Sequence, residues 1–155
     1  MNAECRITSG GTIFRFSVTR KGHNDAGYFW TDAVIVVENW CLKYATSNSF
    51  LEFSEMILMR NKLSELVNDK LINVEKIEFI EPDIQLVLNP KHDLRDDGKY
   101  AYIREGYETR DISAEFWFFP FLDGALTEQH YVMPLYREDI NKLIAYLSHM
   151  IDTLG

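Results

Sequence analysis

The chain has 155 residues, a formal charge of −8, 46% hydrophobic and 14% aromatic residues. That length fits one domain spanning 1–155, with a core large enough to fold without disulfide or metal staples. The acidity disfavours nucleic acid and anionic membranes as partners, and it steers cationic partners inward.

The start, MNAECRITSGG, has neither the basic opening nor the apolar run of a secretory signal, and no apolar stretch reaches the ~20 residues of a membrane span. Cys5 and Cys41 are too few for a disulfide framework and read as free thiols. Together these predict a cytoplasmic protein. Ser9-Gly10-Gly11 lacks the lysine and the following helix of a phosphate loop, so it reads as a flexible entry to the first strand.

Residues 12–20 alternate, with Phe14, Phe16 and Val18 on one face, as in a half-buried strand. After a turn-rich loop at 21–27, the β-branched run at 30–38 predicts a second strand, and 41–46 its hairpin partner. Ser54 is placed to cap a helix over 54–69, along which Met56, Met59, Leu63, Leu66 and Val67 recur at helical spacing. Strands follow at 74–80 and 83–89, separated by Glu81-Pro82, because proline cannot donate to a ladder. Residues 90–99 read as a loop, with 99–104 and 112–121 forming a hairpin around 105–111. A last strand covers 129–135. The clearest element is a helix over 137–153, with Ile140, Leu143, Ile144, Leu147, Met150, Ile151 and Leu154 on one stripe.

Strands joined mostly by short loops argue for antiparallel pairing. The expected fold is α+β: a strongly bent or two-layered antiparallel sheet of about seven or eight strands, with two helices covering a face or an open edge.

No catalytic signature stands out. His23, His92, His130 and His149 do not pair at metal-ligand spacing, and no nucleophile sits in a known motif, so no catalytic residue, cofactor or metal is expected. Asp93, Asp96 and Asp97 precede Gly98 without the alternation or terminal glutamate of a calcium loop. The run Phe116 to Phe121 carries large aromatics on both faces. It reads as a central strand covered on both sides or, alternatively, as a strand with one open face anchoring a protein partner. Acidic loops at Glu105–Asp111 and Asp123–Glu128 would border such a patch. The expected contacts are Asp93, Asp96, Asp97, Glu105, Glu108 and Asp111, with Trp117 or Phe119 as the apolar anchor. A small-ligand protein or hydrolase using a concave sheet face is the alternative. Burial of the aromatic strand in a homo-oligomer is a third reading.

Four stretches, FRFSVTRKGHNDAGYFW (14–30), FLEFSEMILMRNKLSEL (50–66), IEFIEPDIQLVL (77–88) and YVMPLYREDINKLIAYL (131–147), resemble the small bacterial proteins typified by the WapI immunity protein. The likeness includes the Glu-Pro break at Glu81-Pro82 and a final strand running straight into a helix. It implies a cytoplasmic protein that binds and neutralises the toxic domain of a secreted effector.

Overall fold

The structure is a computed structural model that describes residues 4–18, 24–25, 28–46, 50–119, 121–122, 125–126 and 130–154. His23 and most of the Asp123–Glu128 segment lie outside the described residues.

Strands β1 (Glu4–Ser9) and β2 (Thr12–Val18) form a hairpin in which Ser9 pairs with Thr12. The connection is Gly10-Gly11, with φ of 56° and 80°. Two successive positive φ values define the turn whose twist matches paired strands, and glycine adopts them without a Cβ penalty. The expected flexible entry is therefore a tight turn, and β1 is a strand that the sequence pattern did not announce. Its inward face holds only Cys5 and Ile7, too few apolar positions to stand out.

A two-residue β3 (Asn24–Asp25) leads into β4 (Tyr28–Glu38), whose length gives it several neighbours. Along one side runs β2; along the other lie β5 (Lys43–Ala45) and β6 (Phe50–Glu52). Phe14 faces Val37, Phe16 faces Ile35 and Val18 faces Ala33, so each pair turns to the same buried side.

Helix α1 (Phe53–Val67) is capped two residues earlier than expected. Its N-cap is Glu52, not Ser54. The Glu52 carboxylate accepts from the Ser54 amide at 2.8 Å and also from its hydroxyl, while Glu55 Oε1 accepts from the Glu52 amide at 3.0 Å. This is a capping box built with a glutamate in the leading place. The helix ends in a Schellman motif: Asp69 N–H donates to Leu66 O and Lys70 N–H to Glu65 O, with Asp69 at φ 57°.

The second sheet contains β7 (Glu75–Glu78), β8 (Ile84–Asn89), β11 (Ser113–Phe118) and β14 (Tyr131–Tyr136), in the order β14-β11-β8-β7 and antiparallel throughout. Between β8 and β11 lies a two-rung ladder of β9 (His92–Asp93) and β10 (Thr109–Arg110); β12 (Phe121–Leu122) and β13 (Ala125–Leu126) make another. The expected strand at 99–104 is absent: those residues are irregular, and no hairpin joins them to 112–121. Both edges of β11 are already occupied by β8 and β14, so no edge remains for a third partner.

Helix α2 (Arg137–Leu154) follows β14 directly, and Asp139 Oδ2 accepts from the Tyr136 amide at 3.0 Å at its start. The two sheets meet through their apolar faces. Phe14 of the first stacks on Phe116 of the second with ring centroids 5.2 Å apart, a contact worth ~0.5–1.5 kcal/mol beyond its buried area. Both helices pack against each other and reach both sheets. Tyr146 of α2 lies edge-on to Phe16, and its hydroxyl accepts from the Val18 amide at 3.1 Å. One contiguous apolar cluster draws on both sheets and both helices, which is the two-layered α+β arrangement expected. No described helix is long and apolar enough to cross a membrane.

Candidate functional site

The connection between β8 and β11 stands out by its length. Asn89 pairs directly with Ser113, a geometry that a turn of about 2–5 residues closes, yet the chain spends residues 90–112 there. Connections of that length are uncommon in a compact domain and are usually either functional or disordered.

This arm is tied down along its backbone. Its foot is the β9–β10 ladder, and Leu94 N–H donates to Glu108 O at 2.7 Å. A 3-10 turn over Leu94–Asp97 is capped by Asp93, which accepts from the Arg95 amide at 2.9 Å, and it closes on Gly98 at φ 67°. Further out, Tyr107 N–H donates to Arg104 O at 2.9 Å.

The carboxylates expected to meet a partner largely meet the chain itself. Asp93 takes a fork of hydrogen bonds from Arg95, which holds its carboxyl down to about 2. Asp97 bonds His92. Asp111 receives two bonds from Arg137 at 3.0 and 2.7 Å, and that guanidinium likewise brings its carboxyl to about 2. Glu108 accepts from the Gly106 amide at 3.1 Å, and its own backbone and Gly106 keep its carboxyl below the ordinary value. Asp96 and Glu105 face solvent. Lys91, Arg95, Lys99, Arg104 and Arg110 are interleaved with these acids, so the arm is close to neutral.

What the arm offers outward is aromatic. Tyr102 is 81% exposed, Tyr107 63% and Tyr100 40%. Lys99 sits 5.3 Å over the Tyr100 ring and Arg104 lies 5.5 Å from that of Tyr107. These tyrosines went unnoticed in the sequence because Tyr100 and Tyr102 alternate as strand residues do. The usable signal was the length of chain between two strands that pair residue for residue.

Trp117 and Phe119 are not open anchors. Phe116 and Phe118 point into the core, while Trp117 and Phe119 are half-buried on the outer face. There Trp117 stacks on His130 at 4.4 Å, and Phe119 tilts toward the same ring at 5.7 Å. The Trp117 Nε1 atom is buried, with no hydrogen-bond partner among the described residues.

At the foot of the arm the outer face of the second sheet is hollowed into a recess of about 630 Å³. Its floor is Asn89, Ser113 and Glu115: the Asn89 amide donates to Ser113 Oγ and to Glu115 Oε1, each at 3.2 Å. Ile72, Val74, Pro134 and Tyr136 line its sides, and Lys91, His92 and Arg110 enter from the arm. A second crevice of about 340 Å³ lies between the β4–β5 turn and β14, lined by Leu42, Tyr44, Phe118 and Tyr131. The neighbouring Trp40 is 94% exposed. Tyr44 donates to Asp83 Oδ2 at 2.5 Å, and burial, with Asp83 adding to it, raises its hydroxyl above the ordinary range.

Among the described residues no group of three or more His, Cys, Asp or Glu is placed to hold a metal ion. Cys5 is buried, which pushes its thiol up to about 11, and Cys41 is exposed. Set against known protein families the chain matches none of their models, and no curated protein matches it.

Proposed function

We propose that this chain is a non-catalytic protein-binding domain that engages its partner through the arm at 90–112. The observation that carries the reading is an over-long connection, fixed by its own hydrogen bonds, that turns Tyr100, Tyr102 and Tyr107 to solvent beside Arg104. Tyrosine and arginine dominate binding hot spots, because each combines a large rigid surface with directional polar groups. An arm already held in shape loses little entropy on binding.

The net charge of −8 supports a cationic partner, since the long-range field accelerates its approach even where the contact surface is neutral. With the resemblance to immunity proteins, this favours the toxic domain of a bacterial effector as the partner, met in the cytoplasm. Recognition then rests on the tyrosines, with Asp96 and Glu105 as the acidic contacts still open to solvent. The self-paired Asp93, Asp97 and Asp111 keep the arm in shape.

The test is co-expression with an effector toxin domain encoded beside this chain. Protection from toxicity and co-purification are expected. Tyr102→Ala with Tyr107→Ala should weaken binding by at least tenfold while the thermal midpoint is unchanged. Undiminished binding by that folded variant would remove the arm from the interface. Failure to bind or protect against any such domain would remove the immunity reading.

A further inference from the structure

The recess at the foot of the arm has the volume of a small-molecule site, about 300–1,000 Å³. Besides Tyr136, five ionisable side chains line it: Lys91, His92, Asp97, Arg110 and Glu115. Three have their own partners. Lys91 Nζ lies 3.6 Å from Asp69, and His92 is bonded to Asp97. Arg110 and Glu115 remain, and neither forms an ion pair with a described residue. Glu115 is held by the neutral Asn89 amide, which fixes the carboxylate without cancelling its charge. The Ser113 oxygen accepts from the same amide, so its O–H is free to donate.

A cation and an anion that form no ion pair with a described residue therefore face a single hollow with apolar sides. A simple anion would be repelled by Glu115, and a simple cation by Arg110. A neutral apolar ligand would strip water from both charges without replacing it. We propose that the recess binds a small zwitterion with an apolar side chain, of the size of a free α-amino acid. Its carboxylate meets Arg110, its ammonium meets Glu115, and its side chain lies against Ile72, Val74 and Tyr136. This site is separate from the arm's exposed tyrosines and does not depend on their role in protein binding.

The test uses the full chain and three probes, read by amide chemical shifts: L-leucine, N-acetyl-leucine without the ammonium, and leucinamide without the carboxylate. Leucine should give saturable shifts centred on Asn89, Arg110, Ser113 and Glu115. Each blocked probe should bind about tenfold more weakly or worse, the worth of one charged hydrogen bond. Arg110→Gln should erase the preference for leucine over leucinamide and keep that over N-acetyl-leucine. Glu115→Gln should do the reverse. Absence of saturable shifts at tens of millimolar leucine, equal binding of the three probes, or shifts centred elsewhere would overturn the assignment.

Discussion

Asp111 meets Arg137 through two hydrogen bonds, yet 54% of its side chain faces water. Screening limits such a pair to under about 1 kcal/mol, so Asp111→Asn should lower stability at neutral pH by no more than that. The pH dependence has a defined sign. The folded carboxyls of Asp111 and Asp93 sit at about 2, below the ordinary 3.8, so the folded state binds fewer protons there. Their stabilisation is complete above about pH 4 and is lost as pH falls toward 2. Glu55 and Glu81 act oppositely. Burial raises both; the Glu52 and Ile80 amides partly offset it at Glu55, and the Asp83 and Glu55 carboxylates add to it at Glu81. Their contribution is present at low pH and lost as pH rises through their folded values. Urea midpoints from pH 2 to 7 should therefore show the wild type losing stability below pH 4, with a shallower loss in Asp111→Asn. An identical slope in the variant would mean the pair is no stronger folded than unfolded. At this scale the sequence displayed the carboxylates but not their partners. Asp111 and Arg137 are brought together only because β11 pairs with β14, at whose end α2 begins.

Elements were legible where burial follows a simple period. In β2 the alternation of Phe14, Phe16 and Val18 matches what is buried; in α2 Ile140, Leu143, Leu147 and Ile151 of the stripe are buried, while Ile144, Met150 and Leu154 at its margin are only partly so. The stripe omitted Tyr146, which is buried with its hydroxyl accepting from the Val18 amide. The start of α1 differs too. Ser54 is the commoner capping residue, but Phe53 is already helical, which leaves Glu52 in the capping place. The other end of α1 offers a test. Asp69 holds a left-handed conformation that costs an L-residue up to about 1–2 kcal/mol and glycine little. Asp69→Gly should raise the urea midpoint by the equivalent of about 1 kcal/mol or less. The exposed Lys91 pair it gives up offsets only a few tenths. A lowered midpoint would show that the carboxylate matters more than the backbone.

For the molecule as a whole, antiparallel layering was legible from strand count and loop length, since few other arrangements bury so many alternating faces. The candidate site was not, because alternation in 99–104 imitates a strand. Those residues find no place beside β11, because β8 and β14 already pair with both of its edges. The same pairing predicts that the arm is dispensable for folding. Joining Asn89 to Ser113 through an Asn-Gly turn in place of 90–112 should leave a folded protein with near-native circular dichroism and a cooperative transition. Ile112 is the one buried apolar side chain lost, at about 1.5–3 kcal/mol. Collapse to a molten state would show that the arm belongs to the core.

A connection that begins and ends on adjacent rungs of one ladder can change without disturbing what lies beneath it. The entropic penalty of a longer closure grows only with the logarithm of its length, so insertions and wholesale replacements there are tolerated thermodynamically. Residues 90–112 are thus free to take substitutions and insertions, while the Phe14–Phe116 stack goes on specifying one unaltered framework.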